Sequence, residues 1–230
     1  MVDFHTHILP QMDDGSRSVE ESIQMLCMLQ QQEVKWVAAT PHYYAEDEAP
    51  NKFLERRKKS YENLLPAMQQ YGGLLPPIRL GAEVRYFTGM SQSAEIARLT
   101  LEGTNLLLLE MPFVSWNNRM LKEIYQLQQY LHVQVVLAHI ERYLPLQKRF
   151  SFWKDLEELN VLIQSNASFF IEKANRRKAF KLFDKGRIHL LGSDCHHVSV
   201  RPPNIHVALS VLQQKYGDAI CNWLEEQDNI

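Results

Sequence analysis

The sequence predicts an α/β barrel, on three observations. Seven short apolar runs recur along 230 residues, helical patterns separate most of them, and residues of metal-ligand type fall just after six of the seven. Strands that alternate with helices pair in parallel through right-handed crossovers. Seven such units in a chain of this length suit a closed or nearly closed barrel, built as one domain over residues 1–230. A doubly wound open sheet is the alternative, but no glycine-rich dinucleotide or phosphate-loop fingerprint supports it.

The elements follow in order. Residues 2–4 form a short first strand. Ser18 with Glu21 makes a capping box, after which Val19, Ile23 and Leu26 give one apolar helix face. Residues 34–39 read as a second strand, and a charged helix runs from about 52 to 71. Pro76-Pro77 break the chain before a third strand at 78–82. Residues 106–111 read as a buried strand, 121–131 as a helix and 133–138 as another strand. Two further runs lie at 161–164 and 188–191, then a long helix starts near Ile205 and a shorter one near Asp218.

Composition narrows the class. Hydrophobic residues make up 45% of the chain, enough for a full core, and 23% charged residues argue against disorder. A net charge of −2 gives no broad electrostatic case for nucleic acid or an anionic membrane. Cys27, Cys195 and Cys221 are widely spaced, with no Cys-x-x-Cys pair, so neither a disulfide framework nor a zinc knuckle is indicated. The start, MVDFHTHILP, has no basic region leading into a long apolar stretch, and no run approaches the length of a membrane helix. The expected location is the cytoplasm, without membrane insertion.

The chemistry lies at the strand ends. After the first strand come His5, His7, Asp13 and Asp14; after the second, His42; after the third, Glu83. Glu110 ends the leucine-rich strand, His139 follows the next, and Asp194 and His196 follow the last. In a parallel barrel all these ends open on one face, so the residues converge. Imidazoles and carboxylates without thiolates suit manganese, iron or zinc. The set is too large for one ion but fits two or three, with a shared carboxylate. His5 and His7 lie two apart on an extended strand and so point to one side. A lone His-x-His is a weak signal, and a lone Glu after a strand is more often a cap or a solvated charge. The joint pattern carries the expectation. His132, His189, His197 and His206 fall outside it and read as surface or core residues.

Arg142 lies three residues after His139, and Arg201 seven after Asp194. Guanidinium forks match phosphate oxygens, so each arginine could grip a bound phosphate; the bland reading is an arginine paired with a carboxylate. Cys195 and Arg201 also have the Cys-x5-Arg spacing of thiol phosphatases. No glycine lies between them to form a tight anion cradle, and Pro202 and Pro203 donate no amide. Asp194 would also raise the thiol pKa by like-charge repulsion. The thiol mechanism is therefore set aside.

The segments DFHTHILPQMDDG, ATPH, GAEVRY, LLLLEMPF, LAHIERY and GSDCHHVSVRPP resemble the motifs of the PHP (polymerase and histidinol phosphatase) superfamily. Within it they are most similar to the CpsB/YwqE-type protein-tyrosine phosphatases of bacterial capsule and exopolysaccharide loci. The likeness runs from residue 2 to about residue 217. It implies a distorted seven-stranded TIM-like barrel and up to three ions, usually manganese. Carried over, one ion takes His5, His7, Glu83 and Asp194; a second takes Glu83, Glu110 and His139; the third takes Asp14, His42 and His196. Asp13, beside Asp14, is the open alternative. The resemblance further implies hydrolysis of phosphotyrosine by a hydroxide held between ions, with Arg142 and Arg201 on the phosphate. The implied substrate is the tyrosine-rich tail of a bacterial autokinase that controls polysaccharide export. A small-molecule phosphatase of the histidinol-phosphate type, a phosphodiesterase and a non-catalytic metal-binding module are the other readings.

Overall fold

The computed structural model describes residues 1–148 and 151–228. Arg149, Phe150, Asn229 and Ile230 belong to the expected 1–230 domain but lie outside the described residues. Each expected apolar run forms a strand, and among the described residues there are nine short strands: β1 (Val2–Thr6), β2 (Trp36–Ala39), β3 (His42–Tyr43), β4 (Ile78–Leu80), β5 (Glu83–Arg85), β6 (Leu106–Glu110), β7 (Gln134–Leu137), β8 (Leu162–Asn166) and β9 (Leu190–Gly192). The two beyond the expected seven, β3 and β5, lie just past the ends of the second and third runs, after breaks at Thr40-Pro41 and Gly81-Ala82. Pro41 has no N–H for a ladder. The two breaks sit side by side and stay bonded: Gly81 N–H donates to Ala39 O (2.8 Å) and Glu83 N–H to Pro41 O (3.1 Å).

All the strand pairings are parallel. They form two sheets, β1-β2-β4 and β3-β5-β6-β7-β8-β9, in a mixed α/β fold whose parallel sheet curls into a half-barrel. The edge strands β1 and β9 approach each other: Thr6 bridges Cys195, His7 N–H donates to Cys195 O (2.9 Å), and Asp194 N–H donates to His5 O (2.8 Å).

Parallel strands covered on both sides are apolar throughout, and alternate residues serve the two faces. Val2, Phe4, Trp36, Ala38, Leu108 and Leu190 pack with each other in a small separate cluster. Their neighbours Val37, Ala39, Leu107, Leu109 and Leu191 join the larger core shared with the helices.

Helix α1 (Val19–Gln31) starts on Ser18, whose side chain accepts from Glu21 N–H (3.2 Å). The reciprocal half of the expected capping box is replaced. Glu21 accepts from Arg17 N–H (2.9 Å) and faces His197 Nδ1 (3.3 Å). Helix α2 (Pro50–Gln69) opens on a proline, which suits a first turn, and α3 (Asn118–Leu131) is capped by Asn117. Next come α4 (Phe152–Glu158), α5 (Ser168–Ile171) and α6 (Lys173–Phe183), which the apolar periodicity did not reveal. In α6 only Ala179 and Leu182 are buried among many cations, so its stripe is faint. Helices α7 (Ile205–Tyr216) and α8 (Ala219–Asp228) lie where expected.

Helix α2 holds the loops that carry the site. Arg56 Nη1 donates to Met12 O (2.6 Å), Arg57 Nη1 to Gly81 O (2.5 Å) and Ser60 Oγ to Pro10 O (2.7 Å). The segment before Asp13 and the segment before Glu83 are thus tied to one helix face.

Candidate active site

The site begins where β1 departs from regular pairing. Asp3 pairs with Val37 and Thr6 with Ala39, so β1 spends one extra residue over that interval. Such a bulge re-aims the side chains next to it. Here the Nε2 atoms of His5 and His7 come within 3.1 Å of each other. Two glycines allow the surrounding backbone to close in. A Cβ on Gly192 would lie 2.5 Å from His5 Cβ, and one on Gly15 would lie 2.3 Å from His7 O.

Glu83, 1% exposed, stands at the centre. Its Oε2 lies 3.2 Å from His5 Nε2, 3.4 Å from His7 Nε2 and 3.0 Å from His42 Nδ1, while Oε1 lies 2.9 Å from His139 Nε2. Glu110 Oε1 is 3.6 Å from the same His139 nitrogen. Burial alone would raise the Glu83 pKa, but His5, His139 and His42 hold it well below the usual carboxylate range.

Asp194 faces two ways. Oδ1 is turned to His5 Nε2 (3.6 Å), His7 Nε2 (3.5 Å) and His196 Nδ1 (3.6 Å). Oδ2 accepts from Arg142, from Asn166 Nδ2 (2.8 Å) and from Arg201 Nη2 (2.5 Å). Both arginine side chains keep more than a third of their surface exposed, 37% and 39%. Asp194 and His139 both have positive φ, 53° and 32°, a conformation that costs non-glycine residues energy and that clusters at functional sites.

The two adjacent aspartates divide the work. Asp13 is engaged by His7 Nδ1 (2.7 Å), His42 N–H (2.9 Å) and Gly15 N–H (2.9 Å). Asp14 is 70% exposed, and its Oδ1 lies 3.6 Å from His42 Nε2 and 3.4 Å from His196 Nε2. Every expected site residue is therefore placed at this one end of the sheet. Among the described residues, three groups have potential ligand atoms close enough together to share an ion: His7, Asp14, His42 and His196; His5, His7 and Glu83; and His42, Glu83 and Glu110.

Imidazoles that bind metals have one nitrogen fixed by a hydrogen bond and present the other. Gln164 Oε1 fixes His5 Nδ1 (3.3 Å) and also accepts His139 N–H (2.7 Å). Asp13 fixes His7, and the Asp194 carbonyl lies 3.0 Å from His196 Nδ1. The outer nitrogen of His196 is buried without a hydrogen-bond partner. The His42 Nδ1 atom is likewise unpartnered: it is near Glu83 but lacks hydrogen-bond geometry. Buried, orphaned nitrogens among carboxylates are what a cation fits.

The protonation states agree. Burial would lower the His7 pKa, but Asp13 and Glu83 raise it to about 10; Glu110 and Glu83 likewise raise His139 to about 9. At neutral pH these two imidazoles carry protons that an entering cation must displace, so ion binding strengthens as pH rises toward those values.

The sequence reading missed four residues that hold the site together. Gln164 and Asn166 lie on β8 and touch His5, His139 and Asp194. Glu141 is half-buried and accepts from Asn166 N–H (3.2 Å) and Ser165 Oγ (3.2 Å), anchoring the loop that carries Arg142. Asp3 accepts from Ser193 N–H (2.7 Å), and burial raises its pKa to about 6. The available signal was a polar stretch, Gln164-Ser165-Asn166, ending an otherwise apolar strand.

Cys195 is fully buried, and burial, with Asp3 beside it, pushes its thiol well above the ordinary value. A thiolate nucleophile is disfavoured there. Cys195→Ser is expected to retain most of the activity in a steady-state phosphatase assay; a loss beyond about a hundredfold, with fold and metal content intact, would restore the thiol mechanism.

Comparison with known proteins places this arrangement. The family model for capsular polysaccharide synthesis proteins, CpsB/CapC, matches residues 1–228. The tyrosine-protein phosphatase YwqE of Bacillus subtilis is 30% identical over 243 residues, covering 100% of this chain and 91% of that protein. The tyrosine-protein phosphatase CpsB of Streptococcus agalactiae is 25% identical over 241 residues, covering 97% and 94%. A solved chain from the crystal structures of Bacillus subtilis YwqE and Streptococcus pneumoniae CpsB, described as metal-dependent tyrosine phosphatases, superposes with a TM-score of 0.77. It is 26% identical, over 94% of this chain and 88% of that one. A Listeria monocytogenes structure, 12% identical with a TM-score of 0.51 over 96% and 99% of the two chains, shares the fold alone.

Proposed function

The chain belongs to the CpsB/CapC capsular polysaccharide synthesis family, and on that premise we propose that it is a metal-dependent protein-tyrosine phosphatase. One observation carries the reading to this chain's own residues. The Asp194 carboxylate joins a buried imidazole–carboxylate cluster on one oxygen to two half-exposed guanidinium groups on the other.

The ligands we assign are His5, His7, Glu83 and Asp194 for one ion, Glu83, Glu110 and His139 for a second, and Asp14, His42 and His196 for a third. Asp14 is preferred over Asp13 because Asp13 is already engaged by His7, His42 and Gly15. The donor set of nitrogen and oxygen suits manganese, with iron or zinc as substitutes. Bound there, such ions supply Lewis acidity toward phosphate oxygens and acidify water enough to act near neutral pH.

The chain's own groups do the rest. Asp194 Oδ2 holds one arm of each guanidinium and leaves the remaining N–H groups of Arg142 and Arg201 for non-bridging phosphate oxygens. Those contacts orient the phosphate and offset charge as it develops. A tyrosinate, with a pKa of about 10, leaves with little protonation, so no acid residue is required.

The natural substrate we propose is a phosphotyrosine protein, the tail of a bacterial autokinase that controls capsule synthesis. We also read the chain as one domain, with β2/β3 and β4/β5 each as one interrupted strand. That gives a ring of seven strand positions, and the hydrogen bonds between the end of β1 and the segment just after β9 support its closure.

A phosphotyrosyl peptide, histidinol phosphate and bis-p-nitrophenyl phosphate, assayed side by side with manganese, test the function. Turnover of the peptide at least about tenfold faster in kcat/KM than of the other two is expected. Turnover of the diester alone would contradict it.

A further inference from the structure

Two residues beyond the leucine-rich strand and its Met111, the chain places a phenylalanine where solvent reaches it. Phe113 is 50% exposed although it sits beside the buried cluster. Its ring stacks on His139, with centroids 6.1 Å apart and planes 14° apart, and on Tyr143 at 5.3 Å and 28°. His139 in turn reaches Glu83 at 2.9 Å and opens the turn that carries Arg142. Only one ring therefore separates Phe113 from the cluster.

A single exposed apolar side chain is ordinary on a protein surface. This one differs because its loop is rigidly built. Val114 N–H donates to Pro112 O (2.8 Å), and Trp116 Nε1 donates to the same oxygen (3.2 Å). Gln147 ties both sides of the loop, accepting from Trp116 N–H (3.0 Å) and donating to Val114 O (3.0 Å). Met111 N–H donates to Tyr143 Oη (3.0 Å), and Trp116 is buried against Tyr143 and Phe152. A loop this fully bonded could have turned the phenylalanine inward; instead it holds the ring at the rim.

We propose that Phe113 is a specificity residue: the aryl ring of the phosphotyrosine side chain packs on its exposed part while Arg142 and Arg201 hold the phosphate. This rests on the phosphatase reading above and adds the basis for preferring an aromatic over an aliphatic phosphomonoester. Aromatic pairs gain energy beyond their buried area at centroid separations of this order.

The test uses manganese-loaded full-length protein, with phenylphosphonate and methylphosphonate as competitive inhibitors of phosphotyrosyl-peptide hydrolysis. The wild type is expected to bind phenylphosphonate more tightly, and Phe113→Ala to reduce that preference by about five- to tenfold. The inhibition constants for methylphosphonate and inorganic phosphate, and the metal content, should stay unchanged. Phe113→Trp should keep the preference, and Phe113→Leu should lose part of it; these two also serve if the alanine variant is unstable. A wild type without aryl preference, or equal weakening of both phosphonates, would overturn the platform while leaving the phosphatase reading intact. A wild type that fails to hydrolyse the peptide at all would remove both.

Discussion

Replacing Glu83 with glutamine is expected to lower kcat on a phosphotyrosyl peptide by about a hundred- to a thousandfold, the range seen when a key electrostatic group is removed. The amide keeps the shape of the side chain but removes its charge. Four histidines, His5, His7, His42 and His139, lie within 3.4 Å of that carboxylate. His7 and His139 also owe part of their raised pKa to it. Without the charge, the assigned ions lose the one ligand common to two of them. The measurement is kcat together with elemental analysis: metal content should fall along with activity. A glutamine variant with full metal content and more than about a tenth of the activity would show that Glu83 bridges nothing.

Replacing Arg201 with alanine, or Arg142 with alanine, is expected to lower kcat/KM by about a hundredfold each. Here the metal content should hold. Asp194 keeps Asn166 and the other arginine as partners when one is removed, so its placement survives. What disappears is a planar donor for phosphate, so the inhibition constant of inorganic phosphate should rise in parallel. Arg201→Lys should recover only part of the loss, because an ammonium is a point charge without the two-pronged fit. A fall in bound metal equal to that of the Glu83 variant would mean that the arginines serve the cluster and not the substrate.

The strands were legible because they are covered on both sides and therefore read as near-continuous apolar runs, as in Leu106–Glu110. The ligand positions were legible for a related reason: polar, metal-binding residue types stand out where such a run stops. The short strands His42–Tyr43 and Glu83–Arg85 were not legible, because they lie past the ends of the apolar runs and carry polar residues that read as loop. Gln164 and Asn166 were missed as supports because an amide declares no partner, and theirs lie on distant strands. The arginines satisfied both sequence readings at once. Each is paired with a carboxylate, and that carboxylate belongs to the cluster beside which a phosphate would bind. Phe113 was invisible to periodicity, since its significance lies in a ring stacked across the chain on His139.

The most direct test of the metal-dependent mechanism is to strip the protein with a chelator, follow hydrolysis of a phosphotyrosyl peptide, and titrate manganese back while counting ions per chain. Activity is predicted to vanish on stripping and to return with manganese in proportion to occupancy, saturating at about three ions per chain. Undiminished hydrolysis by the stripped protein, or full activity with fewer than about two ions bound, would contradict it.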